Sequence, residues 1–161
     1  MSLVFVDCEA VGGCPATGRL TEFGAVAGAT RRWFRGTLVT RVPTVGIVAH
    51  LSDVEYRDRR AAVFTEFAAW LAENSHGRPV MVSDNPAYDF QWINDGFWQV
   101  LGYNPLGHSA RRISDFYAGL VGDFRRTQEW KRLRVTPHDH DPVHDALGNL
   151  EAFERLLRGE R

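Results

Sequence analysis

Near the start of the chain, Leu3-Val4-Phe5-Val6-Asp7-Cys8-Glu9 places two carboxylates two positions apart at the end of an apolar run. Side chains on a strand repeat every second residue, so Asp7 and Glu9 project to one side. Held that close they repel each other. A cation between them reverses the sign, and hard oxygen donors suit Mg²⁺ or Mn²⁺. The same pair solvated at a strand end would do no chemistry, so the question is what else the chain brings to it. Asp89, in Asn85-Pro86-Ala87-Tyr88-Asp89, falls about one turn into a helix that starts at Asn85-Pro86. There it either joins the acidic pair or simply gains from the helix dipole. His140 and Asp145 flank a second such start at Asp141-Pro142, with the histidine on the preceding loop and the acid in the second turn.

Composition narrows the setting. A chain of 161 residues with 44% hydrophobic content has the size of one domain with a real core. It holds no apolar run of about 18 residues and no basic leader segment, which predicts no membrane span and a cytoplasmic location. The formal net charge of −1 denies it whole-molecule attraction to phosphates, so any nucleic-acid contact needs a local patch plus metal ions. Cys8 and Cys14 read as free thiols.

The elements that must position the candidate residues follow from periodicity and punctuation. Leu3 to Glu9 suits a strand covered on both faces, because four apolar residues run without alternation. The glycines and proline of 10–18 form a loop without phosphate-loop spacing. Leu20 to Ala27 and Arg31 to Val39 read as an antiparallel hairpin, with Glu22 facing either the acidic site or water. From Thr40 to His50 the chain reads as irregular, broken by Pro43 and Gly46. Ser52-Asp53-Val54-Glu55 has capping-box form, and a further helix covers about Ala61 to Glu73. Pro79 to Ser83 is a short buried strand, 101–111 a loop, and Ile113 to Leu120 a strand or helix start. Asp123 to Arg134 reads as a basic helix, and the last helix runs from Pro142 to about Leu157. His138, His140 and His144 lie within seven residues, but without a cysteine pair or an H-E-x-x-H spacing they complete no zinc pattern.

In this order, Asp7-x-Glu9, Asp89 within Asn85-x-x-Tyr88-Asp89, and His140-x-x-x-x-Asp145 resemble the three exonuclease motifs of the DEDDh family of 3′–5′ exonucleases. Glu22-Phe23-Gly24-Ala25-Val26 is similar to that family's second strand. The likeness covers nearly the whole chain; Cys8 stands where a small polar residue is usual, and the lead-in to the second motif is short. By motif spacing, the resemblance selects His140 over His138 and His144. It implies one exonuclease domain over 1–161 with an RNase H-like α/β fold. Its first three strands would be antiparallel and its later strands parallel, with helices on both faces.

The resemblance further implies that Asp7, Glu9, Asp89 and Asp145 hold two divalent cations, Mg²⁺ or Mn²⁺, about 3.5–4 Å apart, while His140 takes the proton of the attacking water. The expected partner is the 3′ end of single-stranded RNA or DNA, and the product a nucleoside 5′-monophosphate. A homodimer stays open. Two rivals remain: a phosphodiesterase of dinucleotides or very short oligonucleotides, and a non-catalytic nucleic-acid-binding module on the same fold.

Overall fold

The computed structural model describes residues 2–42, 47–49 and 51–161. Its frame is a five-stranded sheet built on β1 (Ser2–Val11). One side of β1 pairs antiparallel with β2 (Arg19–Ala27), which pairs antiparallel with β3 (Trp33–Thr37). The other side pairs parallel with β6 (Pro79–Ser83), followed by the two-residue β7 (Arg111–Arg112), giving the order β3-β2-β1-β6-β7. This is the mixed sheet expected, with three antiparallel strands and then parallel ones. A separate antiparallel pair, β4 (Thr40–Val42) and β5 (Ile47–Ala49), occupies part of the stretch read as irregular. Pro43, Gly46 and His50 lie outside the described residues.

Helices cover both faces. Val4, Val6 and Cys8 point to the side holding α1 (Asp53–Asn74) and α2 (Pro86–Leu101), in a core with Phe23, Phe64, Phe67, Met81, Ile93 and Phe97. Phe5 points the other way, into a core with Tyr117 of α3 (Ile113–Val121) and Ala146, Leu150 and Leu156 of α4 (Pro142–Leu157). Burial on both sides explains why β1 has no polar alternation before Asp7. Among the described residues, no helix is long and apolar enough to cross a membrane.

Two helical readings change. The capping box at Ser52 is formed, with the Ser52 side chain accepting from Glu55 N and the Glu55 carboxylate accepting from Ser52 N. From it a single helix runs to Asn74, since residues 57–60 (Arg-Asp-Arg-Arg) contain nothing that breaks one. Asp123 to Arg134, read as a basic helix, is instead irregular apart from a 3₁₀ turn at Glu129–Leu133. Gly122 ends α3 in the left-handed conformation, and the Asp123 carboxylate accepts from Arg125 N at 2.9 Å, a local bond that competes with helix. Trp130 in that turn is fully buried and its indole donates to Ser114 Oγ and Thr127 O, both at 3.1 Å.

Candidate active site

The site forms where β1 outruns its parallel neighbour. Pairing with β6 ends at Phe5–Val82, so from Val6 onward β1 is flanked by strand only on the β2 side. Such a crevice at the carboxyl ends of strands is where open α/β sheets take ligands. The register with β2 shifts between Glu9 and Ala10, and Thr21 Oγ donates to Glu9 O at 2.8 Å. A bulge there fixes the strand's exit beside the acids. Glu22, directly opposite Glu9, shares its face and is buried, with Thr37 Oγ donating to it at 3.4 Å.

Asp145 reaches this crevice on the first turns of α4. Asp141 caps that helix, accepting from Val143 N at 3.0 Å and His144 N at 3.2 Å, and Arg35 of β3 clamps its two carboxylate oxygens at 2.5 and 2.6 Å. The helix starts hard against β2 at Gly24. A Cβ on Gly24 would lie 2.2 Å from Pro142 O and 2.4 Å from Val143 N. Only glycine lets α4 come so close. The result is a cluster in which carboxylate oxygens of Asp7, Glu9 and Asp145 all lie within 4.8 Å of one another.

Asp89 stands beside this cluster. Its carboxylate occupies the position a continuing β6 would have taken, accepting from Cys8 N at 3.1 Å and from the Ser83 hydroxyl. Ser83 Oγ also accepts from Asn85 N at 2.9 Å, so the serine ties strand end, cap and carboxylate together. Asn85 holds the cap position without a side-chain hydrogen bond of its own.

The electrostatics carry the mark of crowded acids. Burial pushes Asp7 up to about 9, with Asp89, Asp145 and Glu9 adding to the rise and Arg134 opposing it. Burial likewise raises Asp89 to about 7 against the lowering hydrogen bonds of Ser83 and Cys8, while Asp84 and Glu9 push upward. Asp145 is 1% exposed, and among the described residues neither of its oxygens has a hydrogen-bond donor. His138 Nδ1 lies 2.7 Å from Asp145 Oδ2, at ion-pair distance but without hydrogen-bond geometry. An undonated buried carboxylate inside a ring of acids fits a divalent cation, which would satisfy its lone pairs and offset the repulsion.

His140 is placed on the loop, as its position before the Asp141 cap required. Its backbone is left-handed, at φ 62°, and its Nδ1 lies 3.5 Å from Glu9 Oε1. His138 stands beside it, ring centroids 4.5 Å apart, so the structure brings two histidines to the acids where sequence spacing selected one. His144 faces elsewhere, its Nδ1 2.9 Å from Asp139 Oδ2. Other contributors gave no sequence signal. Glu151 of α4 pins the approach to the histidines by accepting from Val135 N at 3.1 Å and Thr136 N at 2.7 Å. Arg134 is nearly buried, with its guanidinium over the Trp130 ring at 5.1 Å and donating to Asn149 Oδ1. Both act across long chain separations, and no local pattern announces them.

The whole architecture has known counterparts. Exonuclease I of Escherichia coli, in a complex with a dA16 oligonucleotide, superposes with a TM-score of 0.61 at 15% identity, over 99% of this chain and 41% of that one. The zinc-ion-bound form of the same enzyme with single-stranded DNA gives 0.60 at 13% identity, over 98% and 39%. An exonuclease I from Methylocaldum szegediense gives 0.62 at 14%, over 98% and 41%. The fold is that of the superposed part of exonuclease I, an RNase H-like α/β fold. In sequence, the chain is 36% identical over 83 residues to the 3′-5′ DNA exonuclease Cap18 of Escherichia coli, covering 48% of this chain and 44% of that protein. It thus spans less than half the length of these relatives. No protein-family model matches it.

Proposed function

We propose that this chain is a metal-dependent 3′–5′ exonuclease of the DEDDh type, removing nucleoside 5′-monophosphates from single-stranded DNA. The observation that carries it is the convergence of Asp7, Glu9 and Asp145 around two undonated buried oxygens, with Asp89 alongside. The likeness to Cap18 and to exonuclease I bound to DNA favours DNA as substrate.

In this reading Asp7, Glu9 and Asp145 would hold one divalent cation and Asp7 with Asp89 would face a second. Mg²⁺ or Mn²⁺ bound there would supply Lewis-acid activation of water and neutralise charge on the leaving 3′-oxygen. The chain's own residues do the rest. Cys8 N and Ser83 fix the Asp89 carboxylate so that it does not turn away from the crevice. Arg134 partly compensates the acids from the α4 side. His140, exposed beside Glu9 with a ring nitrogen that can take up a proton, accepts the proton of the attacking water.

The test is shortening of 5′-labelled single strands in Mg²⁺ or Mn²⁺, with matched RNA and DNA and with two-residue and long substrates. Stepwise shortening of DNA from the 3′ end, lost in Asp7→Asn, is expected. Activity retained by Asp7→Asn would reject the metal assignment, and cleavage of the two-residue substrate alone would favour the small-substrate phosphodiesterase.

A further inference from the structure

A second set of donors meets at the same aspartate from the solvent side. A ring nitrogen each of His138 and His140 and a carboxylate oxygen of Asp145 lie within 4.8 Å of one another. Two of these come from a loop and one from a helix, which is why no sequence spacing gave them away. The histidine rings are 51% and 76% exposed, free to adjust, whereas Asp145 is buried and undonated. Imidazole donors do not suit Mg²⁺. They suit Zn²⁺, Co²⁺, Ni²⁺ and Cu²⁺, and two imidazoles with one carboxylate are a regular three-ligand zinc set at bond lengths of about 2.0–2.2 Å, with a fourth position left for water.

We propose that His138, His140 and Asp145 form a separate binding site for a borderline divalent cation, Zn²⁺ in the first place, overlapping the carboxylate site at Asp145. Two features build it. Asp139 accepts from Asp141 N at 3.0 Å and engages His144 Nδ1 at 2.9 Å, which fixes the loop between the two ligand histidines and α4 and removes His144 as a competing donor. Glu151 holds Val135 and Thr136 onto α4, which sets where His138 begins. An ion seated there uses the lone pair of His140 and shares Asp145. On the exonuclease reading above, which this consequence rests on, it withdraws the proton acceptor and one carboxylate together, so Zn²⁺ inhibits where Mg²⁺ or Mn²⁺ supports activity.

Binding is measured without nucleic acid on the full chain. Zn²⁺ is titrated calorimetrically in excess Mg²⁺, and Co²⁺ is followed by its visible absorption. One ion per chain is expected, with the intense visible bands of four-coordinate Co²⁺. His138→Gln should weaken Zn²⁺ binding by at least about tenfold, since a lost ligand costs no less than a lost supporting contact. Asp7→Asn should weaken it less. Unchanged Zn²⁺ affinity in His138→Gln, or a greater loss in Asp7→Asn, places the ion on the carboxylates and overturns the proposal. Circular dichroism of both variants excludes misfolding as the cause. A chain that cleaves no nucleic acid would sink the exonuclease reading and leave this titration intact.

Discussion

The site has two sides built on opposite terms. On the carboxylate side, Asp89 and Asp145 are 3% and 1% exposed, and Asp7 lies on the central strand that separates the two cores. On the histidine side, His138 and His140 stand half or more in solvent on a loop. The difference follows from the work proposed for each. Cation ligands must hold fixed positions against their own repulsion, and burial on rigid elements does that. A proton acceptor must pass its proton on to water, and an exposed ring on a loop does so readily. His140 even stands in a left-handed backbone conformation, costing about 1–2 kcal/mol for a residue with a Cβ, to bring its ring to Glu9.

That contrast breaks in a graded way. Asp7→Asn should cost more activity than the about 10²–10⁴-fold that loss of a proton acceptor costs, because it removes the carboxylate common to both proposed cations. Steady-state degradation of labelled DNA checks this. His140→Gln should lower kcat by about 10²–10⁴-fold and leave Mn²⁺ binding, read by calorimetry, in place. A larger loss in His138→Gln would make the other histidine the base. Gly24→Ala should destabilise the fold by about 1–3 kcal/mol, since its methyl would overlap the backbone of Pro142 and Val143. Urea denaturation reads that, and the displaced Asp145 should lower activity in proportion.

A further effect concerns pH. Asp7 rises from 3.8 to about 9 on folding, so across that interval the unfolded chain has released a proton that the folded, metal-free chain retains. Stability in EDTA should therefore fall as pH climbs between those values, and Asp7→Asn should flatten the slope. Thermal melts from pH 5 to pH 9 test it. Stability that increases over this range would show that Asp7 is ionised in the crevice.

Much of the carboxylate side was legible in the sequence because its residues sit at punctuation marks. Asp7 and Glu9 close an apolar run, Asp89 follows Asn85-Pro86, and Asp145 follows Asp141-Pro142; each rule is local. The resemblance then joined them in order. The histidine side was less legible. The spacing of His138 fits no motif, yet it lies against Asp145 through a loop whose path Glu151 and Asp139 dictate. The misread basic helix has a similar origin, since Gly122 and the Asp123 side chain stop a pattern that charge and aromatics alone suggested.

By itself the sequence determined the buried central strand, the helix starts after Ser52, Asn85 and Asp141 and which acids stand at element ends, because each depends on neighbours a few residues away. Only the tertiary structure decided how those ends meet. Gly24 lets α4 reach β2, Ser83 and Cys8 hold Asp89 at the open edge of β1, and the loop before α4 delivers two histidines rather than one. The approach of Gly24 to Pro142 joins residues 118 positions apart, and the Arg35–Asp141 clamp spans 106. At such separations what decides the contact is packing space and hydrogen-bond satisfaction, and neither leaves a periodic trace in the chain.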